Sequence, residues 1–211
     1  MIKKTILCYG DSITWGYNPA NQERMTANER WSGILGNGLG DGYNVIEEGL
    51  NGRTTVWNDP LNHGSKNGLK YLLPCLDSHR PIDLCILLLG TNDMKKRFSL
   101  SAIKITDGIN LLLDTIKKSE TGPNGSAPKI LLLAPPYLNK TTSFHEEFGD
   151  SYNISLKLPS YYAQIAIDNN CEFLDTSKII VAIEIDGVHP DVNQQVKLGK
   201  IVLQIVKKIM K

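Results

Sequence analysis

The apolar run Leu84-Cys85-Ile86-Leu87-Leu88-Leu89, closed by Gly90-Thr91-Asn92-Asp93, restricts the fold more than any other segment. A strand with one wet face alternates polar and apolar residues, and this one does not. Six apolar residues in a row suit a central parallel strand covered on both faces. Its flanks alternate short β-type runs with longer amphipathic ones. Strands are expected at 4–9, 44–48, 129–134 and 172–174. Helices are expected at 28–39, at 69–79 with a kink or break at Pro74, at 101–118, ahead of Asn169-Asn170, and at 192–210. Ile105, Ile109, Leu112 and Ile116 recur at helical spacing, as do Leu198, Val202, Ile205 and Ile209. Strand–helix alternation predicts an α/β fold, a three-layer α/β/α sandwich with a central parallel sheet, as a single domain over 1–211.

Composition narrows the function classes. The chain has 211 residues, 41% of them hydrophobic, enough for one full core. Lys plus Arg is 23 against 22 Asp plus Glu. Nothing in that balance draws the protein to nucleic acid or to a membrane surface. No apolar stretch approaches the roughly 20 residues of a membrane span. The run 6–9 is too short for the core of a signal peptide. Cys8, Cys75, Cys85 and Cys171 form no C-x-x-C pair and read as free thiols. A cytoplasmic protein is the expectation.

In open parallel sheets, reactive groups gather beyond the carboxyl ends of the strands. Gly10-Asp11-Ser12 lies at the first such end. A serine there is either a helix cap or an exposed nucleophile. The G-x-S-x-G elbow is absent, because position 14 is Thr. Asp186-Gly187-Val188-His189-Pro190-Asp191 supplies an imidazole and, three residues earlier, a carboxylate to accept its second N–H. Asp191 competes for that carboxylate role but reads as the cap of the last helix. Asn92 can donate a side-chain N–H to an oxyanion. Gly52 lets a backbone N–H approach a ligand. Taken alone, each of those two sites reads as a turn. Asp11 and Asp93 read as acceptors that fix loops. Arg53 reads as the partner of a buried carboxylate. Trp15 and Trp57 are tentative substrate-pocket residues, with core or subunit contacts as the alternative. No His/Cys ligand cluster calls for a metal, and no cofactor is expected.

Taken together and in order, Gly10-Asp11-Ser12, Gly52, Gly90-Thr91-Asn92-Asp93 and Asp186-Gly187-Val188-His189 resemble the four blocks of the SGNH hydrolases, the GDSL esterase family. The segments 7–17, 45–55 and 88–95 look like its arylesterase/acyltransferase branch. The resemblance implies a flavodoxin-like fold, Ser12 as nucleophile, His189 as base and Asp186 as its orienter. It also implies an oxyanion hole from the Ser12 and Gly52 N–H groups and the Asn92 amide. Gly52 departs from a member of that branch that carries Ala, but a backbone donor survives either residue. The expected reaction is hydrolysis of short-chain esters (aryl, alkyl or sugar acetyl) through an acyl-Ser12 intermediate, with acyl transfer to alcohols as a companion activity. The branch further implies a homo-oligomer, for which the polar connection 135–152 is a candidate contact. A lysophospholipase or thioesterase, or a non-catalytic α/β ligand-binding module, is the alternative. The chain has neither G-x-G-x-x-G after its first strand nor a P-loop to support the last.

Overall fold

The structure, a computed structural model, describes residues 3–62, 64–141, 143–149 and 151–211. Along the chain run β1 (Lys4–Gly10), α1 (Ser12–Trp15), α2 (Trp31–Leu39), β2 (Tyr43–Gly49), α3 (Gly68–His79) and β3 (Leu84–Leu88). There follow α4 (Ala102–Lys118), β4 (Lys129–Ala134), α5 (His145–Phe148), α6 (Tyr152–Ser155), α7 (Leu158–Asp168), β5 (Glu172–Asp175) and α8 (Val192–Ile209). All strand pairs are parallel, in the order β2-β1-β3-β4-β5.

Two cores sandwich the sheet, as the period of a strand requires. Leu7, Tyr9, Cys85, Leu87 and Leu132 face one way, against Leu72 and Leu76 of α3, Ile105, Ile109 and Leu112 of α4, and Tyr162 of α7. Ile6, Cys8, Ile86, Leu88 and Leu133 face the other way, against Trp31 and Leu35 of α2 and Leu198, Val202 and Val206 of α8. Every residue of β3 is buried, which is the outcome its unbroken apolar run predicts.

This strand order reverses direction between β1 and β3. The crevice outside their carboxyl ends is the switch point where such sheets bind ligands. Gly10 lies level with both Gly49 and Leu88, so the loops after β1, β2 and β3 leave the sheet at one level.

The expected helix over 28–39 begins only at Trp31. Glu29 accepts from the Thr26 N–H and hydroxyl, both at 2.8 Å, and closes a separate turn. Arg30 then adopts an extended conformation before the helix starts. Pro74 sits within α3 without ending it. Pro159 occupies the first turn of α7, where a missing N–H costs nothing. The connection 135–152 is less polar in its packing than in its composition. Leu138 and Phe148 are buried in the core, and Phe148 closes the one-turn helix α5. Thr142 and Asp150 of that connection lie outside the described residues. Among the described residues, no helix is long and apolar enough to cross a membrane.

Candidate active site

Ser12 is the first residue of α1. Its neighbour Asp11 caps that helix, with Oδ1 accepting the Ile13 N–H at 2.9 Å. The first N–H groups of a helix lack intrahelical partners. The sharp exit from β1 therefore presents both the Ser12 hydroxyl and its N–H beyond the sheet.

The segment after β5 brings the imidazole. Asp186 Oδ1 accepts the backbone N–H groups of Val188 and His189 at 2.9 and 2.8 Å. Its Oδ2 lies 2.6 Å from His189 Nδ1. One carboxylate thus shapes the turn with one oxygen and orients the ring with the other. The Asn139 N–H donates to the Gly187 carbonyl at 2.8 Å and pins this turn to the loop after β4. His189 Nε2 is 2.8 Å from Ser12 Oγ, and all three side chains are buried. Burial alone would raise the Asp186 carboxyl, but the bonds and charge of His189 and the two backbone donors hold it below the usual carboxylate range. Asp191 takes no part in this chain. It caps α8, accepting the Gln194 N–H at 2.9 Å. The Tyr17 ring lies 4.4 Å from the imidazole, centroid to centroid.

Gly52 follows β2 in a tight turn closed by the Arg53 N–H on the Leu50 carbonyl at 3.0 Å. Its φ of +81° lies in the region that favours glycine, and its own N–H has no partner among the described residues. The Asn92 amide donates one N–H to the Arg53 carbonyl at 3.1 Å. An amide nitrogen carries two, which leaves the second for the cavity that Asn92 lines. Arg53 itself is buried and bonds to carbonyls rather than a carboxylate. It reaches Gly10 O at 2.9 Å and also Glu48 O, and it stacks over the Tyr9 ring at 4.1 Å. It ties the ends of β1 and β2 together. Asp93 receives the Thr55 N–H and hydroxyl. Burial pushes the Asp11 carboxyl up to about 6. Burial and, to a lesser degree, the charge of Asp11 push Asp93 up to about 7.

These groups share one cavity of about 260 Å³. Ser12, Gly52, Asn92 and His189 line it together. Asp186 stands behind the imidazole. Trp15 and Trp57 do not line it. Trp15 lies under the Arg24 guanidinium at 5.6 Å, and the Trp57 carbonyl accepts from the Thr54 hydroxyl at 2.6 Å. The aromatic lining is instead Tyr17, Phe144 and Phe148, and the charged lining is Lys66, Lys95 and Glu147. The one sequence sign of this aromatic lining is Phe144 and Phe148 at helical spacing inside a polar stretch; the charged lining has none.

Glu48, Cys75 and His79 place one potential metal-ligand atom each within 4.8 Å of one another, away from this cavity. His79 Nε2 already meets Glu48 at 3.2 Å. Burial and then the Glu48 charge push the Cys75 thiol up to about 12, which opposes the thiolate that a metal needs. A His79–Glu48 hydrogen bond beside a buried thiol accounts for the group.

Comparison with known proteins identifies the family. Residues 8–193 match the model of the GDSL-like lipase/acylhydrolase family. No curated protein matches the chain significantly. Among solved structures, a carbohydrate acetylesterase family member from Sinorhizobium meliloti is 35% identical, with a TM-score of 0.93 and 98% of each chain covered. The native aryl esterase of M. smegmatis is also 35% identical, with a TM-score of 0.92, covering 98% of this chain and 99% of its own. With family model and fold in agreement over most of its length, the chain belongs to the GDSL-like lipase/acylhydrolase family, the SGNH hydrolases, and is a carboxylic ester hydrolase.

Proposed function

We propose that Ser12 is the nucleophile of a short-chain esterase, with His189 as its base and Asp186 as the orienter of that base. The unbroken chain from Ser12 Oγ to His189 Nε2 at 2.8 Å, and from Nδ1 to Asp186 at 2.6 Å, carries the reading. His189 takes the Ser12 proton as Oγ bonds to the ester carbonyl carbon. The oxyanion is received by the Ser12 and Gly52 N–H groups and the Asn92 amide. The alkoxy C–O bond then breaks, and the alcohol leaves with the proton from His189. Water attacks the acyl-enzyme and returns a proton through the same imidazole, releasing the acid and restoring Ser12. An alcohol in place of water gives acyl transfer.

The cavity size favours short acyl groups. At about 260 Å³ it falls below the roughly 300–1,000 Å³ of sites that enclose drug-sized ligands. That size favours a short acyl group over a long lipid chain. The two similar structures are named a carbohydrate acetylesterase and an aryl esterase, and short esters of sugars or phenols suit this size. The whole chain acts as one catalytic domain. A cytoplasmic setting suits the free thiols Cys8, Cys75, Cys85 and Cys171. A homo-oligomer, with the connection 135–152 as the candidate contact, completes this reading. Light scattering on the purified protein tests that last point, and a monomer overturns it.

A p-nitrophenyl ester series on the wild type and Ser12→Ala tests the reaction. Turnover should fall steeply beyond butyryl and vanish in the variant. Wild-type rates with Ser12→Ala would sink the nucleophile assignment.

A further inference from the structure

Three charged side chains line the cavity above Ser12, and their surroundings differ. Lys95 Nζ is 2.9 Å from the Glu147 carboxylate. Arg97 meets the same carboxylate at 3.5 Å and Asp59 at 2.7 Å. These two cations and two anions cancel. Lys66 stands outside that network. Its ammonium makes no ion pair or hydrogen bond with any described residue.

The Lys66 backbone is nevertheless fixed. Its carbonyl accepts the Thr54 N–H at 2.9 Å and the Thr54 hydroxyl at 3.2 Å. The next residue, Asn67, caps α3. The Lys66 stem lies against the Gly52 turn, with Cε only 3.7 Å from where a side chain on Gly52 would begin. An uncompensated positive charge therefore sits in the wall beside the Gly52 N–H. Low-dielectric walls focus such a charge on whatever enters.

We propose that Lys66 is a specificity residue that selects esters whose alcohol half carries a carboxylate, such as O-acetylated hydroxy acids or acidic sugars. The inference rests on the short-chain esterase reading. Because the acyl group is short, an anionic group within reach of Lys66 belongs to the alcohol. Lys66 touches no reacting atom. It acts on binding, so its effect belongs in KM.

The test compares 4-acetoxybenzoate with its neutral methyl ester. The quantity read is the ratio of their kcat/KM values in the wild type, Lys66→Gln and Lys66→Arg, so that any general loss of activity cancels. A half-buried charge pair of this kind supports a preference of up to about 5-fold. Lys66→Gln should abolish it, chiefly through KM, and Lys66→Arg should restore it. Added salt should erode it in the wild type. An equal ratio in the wild type and Lys66→Gln overturns the proposal while leaving the esterase reading intact. Failure of the wild type to hydrolyse either ester overturns both.

Discussion

At the floor of the cavity, Ser12, Asp186 and His189 are set by turns of a few residues, whereas its rim is assembled from distant segments. Asp11 and Ser12 are shaped by a single helical turn. Asp186 and His189 are shaped by one carboxylate that accepts two N–H groups of its own loop. The rim instead joins Lys95 and Arg97 to a half-exposed Glu147, with a buried Asp59 behind Arg97. Hydrogen bonds shielded from water hold geometry tightly, and surface ion pairs are weak and sensitive to salt. On the proposed reading, chemistry belongs to the floor, and selectivity belongs to Lys66 beside the self-cancelling ion pairs of the rim.

The contrast breaks first at the floor. Asp186→Asn should lower kcat by about 10⁴-fold, because an amide no longer selects the tautomer that leaves Nε2 free to take a proton. A loss below about tenfold in steady-state assays would make Asp186 merely a loop acceptor. Asn92→Ala should cost about 10²- to 10³-fold in kcat with little change in KM, the signature of an interaction made in the transition state. A change confined to KM would move Asn92 to ground-state binding. At the rim, Glu147→Gln should change kcat/KM by less than about 5-fold, with an effect that shrinks as salt is added. A loss as large as that of Asn92→Ala would erase the distinction between floor and rim.

The smallest expected effect lies beneath the floor. Asp93 is raised to about 7 from an ordinary 3.8, mainly by burial. A carboxyl raised on folding contributes stability below its unfolded value, and that contribution is lost as pH rises through the folded value. The wild type should therefore lose Tm relative to Asp93→Asn between about pH 4 and pH 7. Thermal melts at both ends of that window check it, and a constant difference would mean that Asp93 stays ionised in the fold.

What was legible in the sequence follows the same division. The unbroken run 84–89 revealed the central strand because covering on both faces leaves no polar positions. Ser12, Asp186 and His189 were legible because their partners lie within three residues or in motif order. Lys66, Lys95 and Glu147 were not legible. Their meeting depends on loops from three places in the chain converging over one strand end, and no local spacing records that. The connection 135–152 misled through composition, since its few apolar residues, Leu138 and Phe148 among them, are the ones that pack. Trp15 and Trp57 misled because aromatic residues near a motif need not turn toward the cavity.

The central claim is that the Ser12 hydroxyl is activated by His189. A fluorophosphonate probe followed by peptide mass spectrometry tests it most directly. One adduct is expected, on Ser12, lost in His189→Ala while the fold remains intact by circular dichroism. Labelling at another serine, or undiminished labelling of Ser12 without His189, would contradict it.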